Sequence, residues 1–259
     1  MGVRTGAGAR TRLADLYQSG CAKLRLPRTN ARHVEAVAIN TSGGLTGGDI
    51  LDWSFEAGKG ASLAATTQAC ERVYRSAEGS AEVVTRLRAG PGARLAWLPQ
   101  ETILYDGAAL SRRLELDMSP DARVLLLEPI VFGRAAMGER VRSLRLRDDW
   151  RVCRGGALVH AEAVRLDGDA EATLRRAHVA GAAAAMATLV LLSPDADASA
   201  TRIGDAMGGI TDCEAAVARF PDRLAVRLLA RDARALRTTL LPLIEALSPV
   251  AGVPRVWRL

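Results

Sequence analysis

Glu56-Ala57-Gly58-Lys59-Gly60-Ala61-Ser62-Leu63, Arg88-Ala89-Gly90-Pro91-Gly92-Ala93-Arg94-Leu95 and Asp117-Met118-Ser119-Pro120-Asp121-Ala122-Arg123-Val124 are three versions of one stretch, offset by 32 and then by 29 residues. Each version joins an alternating polar–apolar segment to a more apolar one through a turn built on Gly, Pro, Ser or Asp. A recurrence near 30 residues is the mark of a stacked, solenoid-like β architecture, in which each unit buries its apolar face only against the next.

Outward from these turns the chain keeps a strand period. Leu51–Glu56, Arg113–Met118 and Val141–Leu146 alternate apolar and polar residues, as half-buried strands do, and the wholly apolar Val124–Leu127 predicts a strand covered on both faces. Strands are expected over most of residues 34–230, after an irregular first thirty residues with one short strand inside Tyr17–Leu26. Ser199–Met207 reads as a helix ended by Gly208-Gly209. Ala233–Leu247 reads as a second, with Leu236, Leu240, Leu243, Ile244 and Leu247 on one stripe, Asp232 as N-cap and Pro242 kinking or splitting it. No segment resembles a linker. The expectation is one domain over residues 1–259, mainly β, with β-helix-like stacked sheets and about two helices in the C-terminal third.

Composition narrows the function classes. The net charge is +6, lysine occurs only at Lys23 and Lys59, and arginine supplies nearly all the positive charge. Attraction to an acidic partner follows, but no run of five basic residues occurs and aromatics are 4% of the chain, which disfavours a base-stacking surface for nucleic acid. The longest apolar run, Gly181–Leu192, falls short of the about 20 residues that cross a bilayer. The beginning of the chain, Met1 to Gly8, has no apolar export segment, so Cys21, Cys70, Cys153 and Cys213 read as reduced and packed thiols of a soluble cytoplasmic protein.

No catalytic signature of the GxSxG, HExxH or Walker type occurs, and His33, His160 and His178 are too dispersed to nominate a metal site. The glycine-rich Asn40-Thr41-Ser42-Gly43-Gly44-Leu45-Thr46-Gly47-Gly48-Asp49 lacks a P-loop lysine and precedes a strand pattern. It is expected to be a tight turn, with Asp49 capping it or facing a cavity. Three further segments set carboxylates among residues that look buried: Thr67–Ser76 with Glu71, Arg72, Tyr74 and Arg75; Trp97–Asp106 with Glu101; and Glu128–Glu139 with Arg134. Such carboxylates are either paired with the nearby arginines or line a wet interior passage. An enzymatic alternative is a hydrolase using Glu101, Asp106 and Glu128 as acid and base.

Residues 40–49 resemble the glycine signature of the urease accessory protein family UreD (also called UreH), and Gln68–Ser76, Trp97–Asp106, Val131–Glu139, Leu240–Leu247 and Pro254–Trp257 resemble its other blocks in order. The resemblance spans about residues 13–257. It implies a β-helix-like scaffold without catalytic residues, acting with UreF, the GTPase UreG and the urease apoprotein to deliver nickel. No cofactor would be bound tightly, nickel would touch the chain only in passing, and neither nucleic acid nor membrane would be a partner. By the same resemblance Asp49, Glu101, Glu128 and Glu139 are candidates to line a nickel passage, and Glu71, Arg72, Tyr74, Arg75 and Arg134 are motif or ion-pair candidates. Two departures stand out: Arg72 occupies a position where many relatives carry lysine, and Ala218–Asp222 departs from a tryptophan-containing stretch common in relatives.

Overall fold

A computed structural model describes residues 1–208, 212–250 and 252–258. The chain winds as a β-helix. One coil runs Ile50–Ala57, Ser62–Thr67, Glu71–Val73; the next runs Ala81–Ala89, Arg94–Leu98, Thr102–Leu104; a third runs through Ala108–Met118 and then Arg123–Phe132, which serves two faces in turn. Equivalent strands pair in parallel. Ile50 opposes Glu82 and Ser62 opposes Arg94, both 32 residues on, while Ala81 opposes Leu110 and Arg94 opposes Arg123, both 29 on. The offsets of the sequence repeat are therefore the registers of the two long sheets. The turns stack as well: the amide of Arg94 donates to Ala61 at 2.8 Å and that of Arg123 to Ala93 at 2.9 Å.

The first sheet runs Ala157–Gly168, Leu144–Arg154, Ala108–Met118, Ala81–Ala89, Ile50–Ala57, Gly2–Thr5, Thr11–Asp15. The second runs Cys213–Phe220, Arg223–Ala230, Ala185–Leu192, Arg123–Phe132, Arg94–Leu98, Ser62–Thr67, Val34–Asn40, Ala22–Arg25. Glu71–Val73, Thr102–Leu104 and Ile130–Phe132 form a short third face. On the outer side of the first sheet, aligned rows alternate in sign, as in Glu56–Arg88–Asp117 and Arg86–Glu115–Arg151, which disperses the arginines among acids.

The second sheet separates two cores. Val124 and Leu126 point into the coil, whereas Leu125 and Leu127 pack with Leu236, Leu240, Leu243, Ile244 and Leu247 of the helix Ala233–Leu247. That is why Val124–Leu127 carries no polar residue. Asp232 caps the helix, accepting the Ala235 amide at 2.8 Å. Pro242 does not split it; the helix is continuous, with Pro242 on its exposed side.

Three expectations need correction. The first thirty residues hold three strands, Gly2–Thr5, Thr11–Asp15 and Ala22–Arg25, the last inside the predicted Tyr17–Leu26. The alternating strand placed at Val141 begins at Leu144 and continues to Arg154. A short helix, Ala170–Leu174, joins the two predicted ones. The helix predicted at Ser199–Met207 is present as Ala200–Met207, preceded by a 3₁₀ turn at Asp197–Ser199; of the two glycines expected to end it, Gly208 is its C-cap in right-handed geometry and Gly209 lies outside the described residues. Among the described residues no helix is long and apolar enough to cross a membrane, and the four cysteines are unpaired.

Candidate functional site

Strand parity points to the first unusual feature. On Ala108–Met118 the residues Leu110, Leu114 and Leu116 face the coil interior, and so does Arg112; on Leu144–Arg154 the residue Asp148 shares the inward face of Leu146 and Trp150. Register aligns Leu51, Val83, Arg112 and Asp148 in one inward row. From the opposite wall Glu128 continues the inward face of Val124 and Leu126.

These three buried charges meet. Arg112 donates through Nη1 to Glu128 Oε2 at 2.5 Å, through Nη2 and Nε to Asp148 at 2.6 and 3.1 Å, and through Nη1 to the Thr102 hydroxyl at 3.1 Å. Trp97 Nε1 donates to the other Glu128 oxygen at 2.9 Å. All three charged residues are at most 5% exposed. Burial pushes the Glu128 carboxyl up to about 7 against the pull of Arg112, with Asp148 adding to the rise. The Arg112 guanidinium, although burial opposes its charge, is held further above its usual range by Asp148 and Glu128.

Beside this triad lies a small cavity of about 40 Å³, lined mostly by buried residues. Its polar wall includes Glu128, Arg112, Thr102, Gln100 and, from the coil before, Glu71. Among the described residues the Glu71 carboxylate takes its side-chain hydrogen bonds from Asn40 Nδ2, at 3.1 and 3.3 Å, so its oxygens are less committed than those of Glu128. Burial pushes the Glu71 carboxyl up to about 6, opposed by the Asn40 amide and by the Arg72 backbone and charge. At about 30 Å³ per water the cavity has room for roughly one molecule. Its donors are carboxylate, hydroxyl and amide oxygens, hard ligands that hold a divalent ion less firmly than imidazole or thiolate would.

The remaining candidates lie elsewhere. Glu101 faces the helix layer, where Arg237 donates to it at 2.6 and 3.0 Å and the Cys70 thiol donates at 3.2 Å. Arg237 also donates to Gln100 at 2.6 Å and sits over the Trp257 ring, so Glu101 anchors the C-terminal segment to the coil. Asp49 is exposed and caps the glycine turn, accepting the Thr46 amide at 2.8 Å. That turn lies flush against the next coil: a Cβ at Gly44 would come within 2.3 Å of the Tyr74 ring, and one at Gly47 within 1.9 Å of the Glu78 carbonyl oxygen.

A surface ladder climbs the corner after the third face. Tyr74 meets Tyr105 edge-on at 5.1 Å, and Arg134 lies 4.3 Å over the Tyr105 ring. Arg134 is fixed by Glu139 at 2.9 and 3.2 Å, and this hydrogen bonding holds the Glu139 carboxyl below its usual range. Arg75 pairs with Asp106 at 2.5 Å, while Arg72 is exposed on the strand beside Ile103. The structure thus brings Glu71 and Glu128 together and sets Asp49, Glu101 and Glu139 apart from them. Glu101, Asp106 and Glu128, the acids of the hydrolase alternative, have three separate sets of partners, and the cavity at Glu128 is lined by neither of the other two. Arg112 and Asp148 were missed from the sequence; a charge at an apolar parity position inside an alternating strand was the available signal.

Comparison with known proteins identifies the family. The model of the family described as UreD urease accessory protein matches residues 2–258. A urease accessory protein UreD of Sinorhizobium medicae is 50% identical over 259 residues, 99% of this chain and 93% of that protein. A Rhizobium rhizogenes urease accessory protein UreD is 49% identical over 96% of this chain and 90% of that protein, and the urease accessory protein UreD 1 of Brucella melitensis is 48% identical over 96% and 89%. With a family model covering nearly every residue and relatives near half identity end to end, this chain belongs to the UreD urease accessory protein family.

Proposed function

We propose that the chain is a cytoplasmic scaffold for urease maturation that holds UreF, the GTPase UreG and the urease apoprotein in register, and that nickel crosses its coil interior as passing cargo. The observation that carries the reading is the placement of two carboxylates, Glu71 and Glu128, on one internal cavity within a largely apolar coil, beside Arg112 and Thr102. Buried acids are costly to keep. Here they supply oxygen donors that a proton competes for near neutral pH, which favours release over storage. Glu71, placed by sequence among the motif residues, is the better exchange ligand, because Glu128 is held by Arg112 and Trp97.

The test is co-expression with UreF, UreG and the urease subunits, scoring assembly by co-purification and nickel in the isolated urease by atomic absorption. Glu71→Gln and Glu128→Ala are expected to lower nickel content several-fold with the complex intact. Unchanged loading in both variants rejects the passage, and a chain that never co-purifies with UreF rejects the scaffold.

A further inference from the structure

The internal cavity has walls of different character at its two ends. Towards the later coils it meets the triad of Arg112, Glu128 and Asp148, where any opening would part buried charges. Towards the start of the coil its wall is Leu51 and Trp53, apolar side chains that are 3% and 7% exposed.

These two residues also line a second, larger cleft of about 520 Å³, bounded by the segment Tyr17–Ala22 on one side and Ile50–Ser54 on the other. Leu51 and Trp53 therefore stand between the small cavity and the larger cleft. Register explains why the wall is thin here. Val83 and Thr85 are covered by a coil on each side, with Leu51 and Trp53 before them and Arg112 and Leu114 after. The strand before Ile50–Ala57 is Gly2–Thr5, which reaches only Glu56 and Ala57 and leaves Leu51 and Trp53 as the last layer.

We propose that the cleft between Tyr17–Ala22 and Ile50–Ser54 is the mouth of the internal cavity, and that Leu51 and Trp53 form an apolar gate across it. The inference rests on the reading of the interior as a nickel passage and adds its entrance. A cavity the size of one water cannot admit a hydrated divalent ion unless a wall moves. The apolar wall moves at lower cost, because turning Leu51 or Trp53 towards the cleft separates no charges and breaks none of the hydrogen bonds that hold the triad. An apolar constriction also stays dry until it opens, which keeps the carboxylates from exchanging freely with solvent.

Substituted-cysteine accessibility tests the gate in the full chain. The four native cysteines are replaced by serine and Thr85→Cys places a near-isosteric thiol on the cavity wall. Its modification by a small cationic methanethiosulfonate is followed by mass spectrometry. Leu51→Ala and Trp53→Phe are expected to speed labelling at least tenfold. Leu116→Ala, an equal truncation at a fully buried site away from the cavity, controls for general loosening. Labelling that accelerates equally in Leu51→Ala and Leu116→Ala, or in neither gate variant, overturns the proposal. Nickel loading is scored separately: faster labelling through Leu51→Ala with undiminished loading in both Glu71→Gln and Glu128→Ala leaves the gate standing and removes the passage.

Discussion

Arg112 is the residue whose loss the structure penalises most, and the penalty can be ordered in advance. Arg112→Leu leaves Glu128 and Asp148, both nearly inaccessible, facing one another without a cation. Removing one partner of a buried ion pair costs about 3–5 kcal/mol, a large share of the roughly 5–15 kcal/mol that holds a domain folded. Glu128→Gln is milder: the amide oxygen still accepts from Trp97, Asp148 still accepts two donors from Arg112, and one charge-assisted hydrogen bond is lost, about 1.5–3 kcal/mol. With a urea slope of about 2 kcal/mol/M the Arg112→Leu midpoint falls by about 1.5–2.5 M. The pH dependence has a definite sign. Without the guanidinium the Glu128 carboxyl is raised further above the ordinary value it has when unfolded, so the folded protein binds a proton that the unfolded chain releases. Stability of the variant then rises as pH falls from neutrality towards the ordinary glutamate value, more steeply than in the parent. Urea titrations of both proteins across that range decide the matter. A loss below about 1 kcal/mol, or parallel pH slopes, would refute the triad as the anchor of the coil interior.

Glu71→Gln gives a complementary pH signature. The Glu71 carboxyl is pushed up to about 6 from 4.5, so its contribution to stability is complete below 4.5 and is lost as pH rises through that window; the amide variant lacks this slope, as urea midpoints at several pH values will show. Gly44→Ala sets a Cβ against the Tyr74 ring and 2.8 Å from the Arg72 carbonyl oxygen, and because backbone cannot yield as a side chain can, it costs about 1–3 kcal/mol by thermal unfolding, at the upper end of that range. Trp257→Ala removes a side chain 1% exposed and the indole hydrogen bond to the Leu98 carbonyl at 2.9 Å, leaving that carbonyl the Thr66 hydroxyl at 2.7 Å; a loss of about 3–5 kcal/mol, mostly from the cavity, is expected from urea titration.

The coil was legible because parallel stacking forces each residue to meet the one a turn of the coil further on. Turn residues recurring at 32 and 29 residues thus carry the register directly. The C-terminal helix was legible for a local reason, an Asp cap followed by an apolar stripe. What Pro242 would do was not: its effect depends on which side of the helix it occupies, and on the exposed side the carbonyl it frees is open to water. The first strands escaped notice because they are short and largely exposed, as at Thr11–Asp15, and because Gly2–Thr5 takes its pairing from Glu56 and Ala57, far along the chain. Of the site, Glu71 and Glu128 could be named from sequence, but their sharing of one cavity could not. Asp148 and Arg112 come together only through the register of parallel strands, which sequence parity flags but does not pair.

The scarcity of lysine takes on a physical sense at that point. A single guanidinium at Arg112 serves two carboxylates and a hydroxyl at once, with Nε and Nη2 forked onto Asp148 and Nη1 turned to Glu128 and Thr102. An ammonium is a compact, strongly hydrated point charge without that fork, so a lysine there would leave one carboxylate short of a partner. The same planar geometry operates at Arg237, which holds Glu101 and Gln100 together, and at Arg134, which grips Glu139 while lying over Tyr105. Arginine is therefore the cation that can tie adjacent coils and the helix layer across their gaps. The outer face of the first sheet uses it otherwise, as rows of alternating sign that cancel within the sheet. Rows that cancel contribute little to long-range attraction, so the surplus behind the net charge of +6 must act from other surfaces when an acidic partner approaches.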